Sequence, residues 1–134
     1  MSIRPFYEDT DIALARYALG KGVLAFSTMR PGGVSQGSYA SMNINAYCGD
    51  TAEHIAENRR RLARALGVDV DQILVPHQVH GTETRVVDAQ LLRSSSSERA
   101  ALLEGVDALT TNQPEVCIGV STADCVPVLL YDPI

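Results

Sequence analysis

The fold of this sequence is decided by one stretch near its end, Val116-Cys117-Ile118-Gly119-Val120-Ser121-Thr122-Ala123-Asp124-Cys125-Val126-Pro127-Val128-Leu129-Leu130-Tyr131. It contains two runs of almost uninterrupted apolar residues, 116–121 and 128–131, each as long as a β-strand. Such runs are typical of strands that are covered on both faces. We therefore expect a mixed α/β domain, of the α+β class, in which both strands are buried.

The clearest helix is predicted over residues 51–66. Asp50 and Glu53 have the spacing of a capping box, with Asp in place of Ser or Thr, and Gly67 supplies a C-terminal stop. A second, short helix is predicted near residues 98–103, after a polar tract at 94–97 that is typical of a solvated loop. These segments provide the helical part of the domain.

A third helix is predicted over residues 10–19, with a cap at Asp9 or Thr10 and an end at Gly20. The remaining strands are predicted at residues 23–28, 73–75, 84–87 and 108–111, with residues 78–81 also extended. No repeat and no linker interrupts the pattern. Residues 1–134 are therefore expected to form a single domain.

Composition excludes several classes of protein. Of the 134 residues 46% are hydrophobic and 20% are charged, which is ordinary for a globular protein and excludes wholesale disorder. No apolar run approaches the ~20 residues of a membrane span, and a net charge of −5 gives no footprint for nucleic acid. Three cysteines and no apolar leader favour reduced thiols in the cytoplasm.

Arg59 is the first candidate functional residue. On a helical wheel Ile55, Leu62 and Leu66 fall within about 20° of one direction, and Arg59 lies about 40° from Ile55 at the apolar edge. A guanidinium there either extends along the border of the apolar helix face towards water or binds a phosphate or carboxylate. The remaining arginines of the helix are expected to be solvated: Arg60, Arg61 and Arg64.

A second set of candidates combines histidine with cysteine. In an extended segment Gln78 and His80 share a face, while His77 points the other way. Asp124 and Cys125 follow the first apolar strand. A cysteine with a distant histidine fits a thiolate nucleophile, a metal ligand or a small buried residue. Cys48 and Cys117 are interpreted as structural.

Taken together, six segments resemble the YfiH-like, or laccase-domain (multicopper polyphenol oxidase), family. The motifs are Phe26-Ser27-Thr28-Met29-Arg30-Pro31-Gly32-Gly33-Val34-Ser35, Tyr39-Ala40-Ser41-Met42-Asn43-Ile44 with Gly49-Asp50, Glu57-Asn58-Arg59, Gln78-Val79-His80-Gly81, Asp107-Ala108-Leu109-Thr110 and Thr122-Ala123-Asp124-Cys125-Val126-Pro127-Val128. Their order and spacing run through nearly the whole chain.

The resemblance implies an α/β/β/α layered fold with mixed sheets and a zinc site of two histidines and one cysteine. By motif His80 and Cys125 match two of the three zinc ligands. Arg59 and Asp124 match catalytic positions, and Asn43 and Gln78 match substrate-binding positions.

The family's third zinc ligand lies in a His-Ala-Gly-Trp-Arg-Gly motif beyond the cysteine strand. This sequence stops at Ile134, before that motif, and family members are nearly twice as long. We therefore expect the chain to be the N-terminal portion of a longer domain, truncated at its C-terminus, with two of three ligands.

The function that the resemblance implies is zinc-dependent purine nucleoside phosphorolysis with adenosine deamination. Its partners would be phosphate and a nucleoside such as adenosine, inosine or methylthioadenosine, with no nucleic acid and no membrane. Three histidines are too few for a multicopper oxidase centre. Two alternatives stay open: a metal-free Cys–His hydrolase, and an incomplete fragment or interaction module. An exposed sheet edge would favour a homo-oligomer.

Overall fold

The computed structural model describes residues 12–134, which form two compact units. One comprises residues 12–67 with 126–134, and the other comprises residues 68–125. The strands are β1 Leu14–Tyr17, β2 Ala25–Thr28, β3 Ile73–Leu74, β4 Thr84–Val86, β5 Ala108–Thr110 and β6 Cys117–Ile118. The α-helices are α1 Ala52–Leu66, α2 Ala89–Arg93 and α3 Ser96–Leu102.

The described part of the first unit contains a β1–β2 hairpin, where the sequence predicts a helix. β1 pairs antiparallel with β2 from Leu14 opposite Thr28 to Tyr17 opposite Ala25. The hydroxyl groups of Tyr17 and Ser27 lie 2.9 Å apart across the pair. The helix prediction for 10–19 is therefore wrong over β1, because pairing with β2 outweighs a weak local helix pattern. Its predicted caps, Asp9 and Thr10, lie outside the described residues.

Helix α1 confirms the predicted segment and shifts its cap by one residue. Thr51, rather than Asp50, is the N-cap, and its side chain accepts a hydrogen bond from the His54 amide. Gly67 ends the helix in the left-handed region with φ of 70°, as a C-terminal stop requires. The Asp50 carboxylate instead accepts hydrogen bonds from the Ser35 hydroxyl, from Asn43 Nδ2 and from the Thr51 amide.

The second unit is built on parallel pairs. β3 pairs with β6 and β4 pairs with β5, both parallel. Ser95 and Glu98 form a capping box that starts α3, whereas α2, capped by Asp88, was not predicted. The core consists of buried aliphatic side chains: Leu74, Val87, Leu91 and Leu103, with Leu92, Leu102, Leu109, Val116 and Ile118 packed against them.

The two apolar runs near the end of the chain differ from the prediction. The first forms only the two-residue strand β6, with half-buried side chains. The second, at 128–131, forms no strand, and Val126, Val128 and Leu130 are 86%, 73% and 89% exposed. An apolar run becomes a buried strand only if a neighbour supplies hydrogen bonds and cover, and the described residues pair no strand with this segment.

The described residues thus combine helices with one antiparallel and two parallel strand pairs. This mixture confirms the α+β class. None of the helices within residues 12–134 is both long enough and apolar enough to cross a membrane.

Candidate functional site

His80 lies at a tight turn that is held by the carboxylate of Asp107. The Asp107 Oδ1 atom accepts hydrogen bonds from the amides of Val79 at 3.1 Å and Gly81 at 2.9 Å. Its Oδ2 atom accepts one from the amide of His80 at 2.9 Å. His80 itself has φ of 59°, in the left-handed region that few non-glycine residues adopt. The prediction of an extended segment at 78–81 is therefore wrong, because three successive amides turn towards one carboxylate.

Backbone hydrogen bonds of His77, before the turn, and of Glu83, after it, fix the position of the turn. The backbone of His77 donates to Leu103 O at 2.9 Å and accepts from the Gly105 amide at 3.0 Å. Asp107 immediately precedes β5, and its amide donates to Glu83 O at 3.0 Å, just before β4. The pairing of β4 with β5 therefore places Asp107 next to the turn, where its carboxylate binds the turn amides.

These amides also change the acidity of Asp107. The pKa of its carboxyl lies below the ordinary 3.8, first because the Gly81 amide donates to it and then because the Val79 amide does. Burial acts in the opposite direction and is outweighed. Amide donors stabilise the charged form, so the turn is held by a carboxylate at neutral pH.

Gln78 connects this turn with the segment that carries Asp124 and Cys125. Its Nε2 atom donates to Ser121 O at 3.0 Å, and its Oε1 atom accepts from the Ser121 amide at 2.7 Å. The Gln78 side chain thus makes the same two hydrogen bonds with the Ser121 backbone that a residue of a neighbouring β-strand would make. One amide hydrogen and one oxygen lone pair of Gln78 remain for a substrate, so its predicted binding role stays a prediction.

Cys125 and Asp124 lie on the exposed end of the same unit as His80. Imidazole nitrogen and thiolate sulfur are ligands that zinc prefers, so His80 and Cys125 fit zinc by donor type. Within residues 12–134, however, no group of three His, Cys, Asp or Glu residues is assembled that could hold a metal ion. The described part of the chain therefore offers two suitable donors and not a complete metal site.

Asn43 belongs to the other unit, where it joins a buried polar network. Its Nδ2 atom donates to Asp50 Oδ2 at 3.1 Å, and its backbone oxygen accepts from Asn58 Nδ2 at 2.8 Å. Asn58 is fully buried, accepts from the Val34 amide at 2.8 Å and donates to Ser35 Oγ at 2.9 Å. The network fixes the backbone of the glycine-rich loop and of the segment that presents Asn43.

Arg59 lies half-buried on α1, next to Asn58. This placement agrees with the predicted position at the edge of the apolar stripe. The sequence predicts that the neighbouring Arg61 is solvated, but its guanidinium has partners within the chain. It donates from Nη1 to Gly32 O at 2.9 Å and pairs through Nε with Glu57 at 3.1 Å, because Glu57 lies one helical turn earlier.

Two residues of evident structural importance were not among the predicted site residues. Asp107 holds the His80 turn, and Asn58 holds the loop next to Asn43. Both lie in segments that carry the family resemblance, Asp107-Ala108-Leu109-Thr110 and Glu57-Asn58-Arg59. The sequence signal for Asp107 is a carboxylate directly before a predicted strand, and the signal for Asn58 is a polar residue on the apolar face of a predicted helix.

Comparison with known proteins relates this geometry to a family. A family model described as multi-copper polyphenol oxidoreductase laccase matches residues 24–134. The chain belongs to this family. It is 43% identical over 107 residues to a purine nucleoside phosphorylase of Bacteroides thetaiotaomicron, a match covering 80% of this chain and 40% of that relative. It is 42% identical over 112 residues to adenosine deaminase RL5 of an unknown prokaryotic organism, covering 84% and 43%.

Solved structures give the same relationship. YlmD of Geobacillus stearothermophilus has a TM-score of 0.69 and 32% identity, covering 78% of this chain and 39% of its own. The Bacillus licheniformis hypothetical protein YfiH has a TM-score of 0.73 and 25% identity, covering 88% and 43%. The chain therefore spans about two fifths of the length of these family members.

Proposed function

We propose that this chain forms part of a zinc-dependent purine nucleoside phosphorylase that also deaminates adenosine. The observation that carries the proposal is family membership, together with relatives at 37–43% identity named purine nucleoside phosphorylase or adenosine deaminase. Its substrates would be phosphate and adenosine, inosine or methylthioadenosine. Three cysteines without a disulfide support a reducing compartment, the cytoplasm.

His80 and Cys125 would be two of the zinc ligands, and the rest of the coordination would come from outside this pair. Zinc bound there would supply Lewis-acid activation of water, which suits removal of an amino group. The turn at Val79–Gly81 would present the His80 imidazole, since its backbone is fixed by Asp107. The Gln78–Ser121 pair would fix the start of the segment that leads to Cys125.

Phosphorolysis requires a different set of groups. A phosphate oxygen forms a bond to C1′ of the ribose as the bond from C1′ to the base nitrogen breaks, and the proton that the hydrogen phosphate loses is transferred to the leaving base. Arg59 would hold the phosphate, because a guanidinium donates two parallel hydrogen bonds to such an anion. Asp124 would serve as the carboxylate for proton transfer, and Asn43 and Gln78 would contact the nucleoside.

The test is phosphate-dependent release of hypoxanthine from inosine, measured with wild type and with Arg59→Ala. The proposal predicts release that saturates with phosphate, and a KM for phosphate that rises at least tenfold in Arg59→Ala. Arg64→Ala is the matched control, because Arg64 is exposed on the same helix and should leave this KM unchanged. Base release that does not depend on phosphate would contradict phosphorolysis.

The same preparation distinguishes the metal-free alternative. If the purified protein holds no zinc and is still inactivated by alkylation of Cys125, a Cys–His hydrolase replaces the proposal, with Cys125 as nucleophile and His80 as base. If zinc removal abolishes activity and zinc restores it, the zinc-dependent assignment is supported.

A further inference from the structure

The side chain of Asp107 binds the backbone of the His80 turn, residues 79–81. Three consecutive amides, those of Val79, His80 and Gly81, converge on its two oxygens at 2.9–3.1 Å. A single carboxylate that accepts three amides fixes both the position and the direction of the peptide units it binds.

The conformation that Asp107 fixes is one that the sequence of the turn does not favour by itself. His80 has φ of 59°, where an L-residue with a side chain is disfavoured unless its surroundings hold it there. Without the carboxylate the three amides would be free to rotate towards water, and His80 would return to a common backbone region. The direction of the imidazole depends on that backbone, because the side chain leaves from it.

We propose that Asp107 is a positioning residue, which acts through the backbone of the turn to hold His80 in the orientation needed for metal binding. The inference rests on the proposed function for the role of His80, and it assigns to Asp107 no contact with substrate. In this proposal Asp107 fixes the backbone conformation of the turn. The Gln78–Ser121 pair fixes the distance between the turn and the segment that leads to Cys125.

The experiment uses the full chain as wild type, Asp107→Ala and Asp107→Asn. Asp88→Ala is the matched control, because Asp88 also accepts a backbone amide in the same unit, that of Leu91 at 2.8 Å, but does not touch the turn. Amide hydrogen exchange at residues 79–81 is measured by NMR in metal-free protein. Zinc affinity is then measured by competition with a chromophoric chelator.

The proposal expects exchange at 79–81 to accelerate at least tenfold in Asp107→Ala and by less than threefold in Asp88→Ala. Asp107→Asn keeps one oxygen acceptor and should fall between wild type and Asp107→Ala. Zinc affinity should fall at least tenfold in Asp107→Ala and stay within threefold of wild type in Asp88→Ala. Should Asp107→Ala fail to fold, the Asp107→Asn comparison decides by the same two readouts.

Equal zinc affinities for wild type and both Asp107 variants would overturn the positioning role, as would unchanged exchange at 79–81. Failure of the proposed function looks different. If wild type binds no zinc but the exchange result holds, Asp107 fixes the turn as proposed and the zinc role of His80 is what fails.

Discussion

The side-chain amide of Gln78 pairs with the backbone of Ser121 through two hydrogen bonds of 3.0 and 2.7 Å, across 43 positions of sequence. Gln78 lies two residues before His80, and Ser121 lies four residues before Cys125. The pair therefore joins the two segments that carry the predicted zinc ligands. Within residues 12–134 the β3–β6 strand pair stops before this point, because β6 ends at Ile118.

Gln78→Glu should weaken this connection. A carboxylate keeps the acceptor for the Ser121 amide but loses the donor, and places its charge against the Ser121 carbonyl. We expect the free energy of unfolding to fall by about 1–2 kcal/mol, measured by urea denaturation. Gln113→Glu is the control, because Gln113 Nε2 donates to the side chain of the exposed neighbour Asn112, and it should change stability by less than ~0.5 kcal/mol. Equal effects in the two variants would contradict the connection.

Gly33→Ala should destabilise the chain through the backbone. A Cβ at Gly33 would overlap the carbonyl of Ser41 and lie 2.5 Å from the Cα of Met42, and neither backbone atom can move aside as a side chain end would. We expect a loss of about 1–3 kcal/mol, read as a lower Tm. Gly119→Ala is the control, since its Cβ would meet Val75 Cγ2 at an ordinary 3.8 Å. A Tm for Gly33→Ala equal to that of the control would show that the loop does not approach so closely.

Asp50 should make stability depend on acid. Its carboxyl pKa lies below the ordinary 3.8, first because the Ser35 hydroxyl donates to it, with the Thr51 amide and Asn43 contributing. A carboxyl whose pKa is lower in the folded state stabilises that state at pH values above 3.8, and this contribution is lost as the pH falls through the lowered folded pKa.

The stability difference between wild type and Asp50→Asn should therefore shrink as the pH falls from 5 to 2. Urea denaturation at several pH values measures it. In Ser35→Ala the pKa of Asp50, followed by NMR, should rise towards the ordinary value. A stability difference that does not change with pH would contradict the role of the Asp50 charge.

The exposed apolar side chains within residues 126–134 should cause self-association. Val126, Val128 and Leu130 alternate along the chain and are all strongly exposed, and exposed apolar side chains of this kind favour association with a second copy. We expect dimers or larger species by light scattering, reduced in Leu130→Glu. Ala101→Glu is the control, because it adds the same charge at an exposed position of α3. A monodisperse wild-type monomer would contradict this expectation.

The sequence predicts an element well when the residues that fix it are close neighbours along the chain, and poorly when they come from another segment. Helix α1 was predicted because its cap and its stop at Gly67 are local. The sequence predicts a helix over β1 because the local pattern of 10–19 does not show the pairing with β2 that makes it a strand. The sequence predicts extended chain at the His80 turn because the carboxylate that holds the turn is 27 positions away. The family motifs give roles to His80, Cys125 and Arg59. They contain Asp107 and Asn58 without giving them a role, because that role depends on contacts that only the folded chain shows.

The measurement that tests the central claim most directly is zinc affinity across the histidine and cysteine variants of the chain. The chain has three of each, so His54→Ala and Cys48→Ala are matched controls for His80→Ala and Cys125→Ala. We predict that His80→Ala and Cys125→Ala each lower zinc affinity at least tenfold, and that the two controls leave it within threefold of wild type. An unchanged affinity in His80→Ala or Cys125→Ala, or an equal loss in the controls, would contradict the assignment of His80 and Cys125 as zinc ligands.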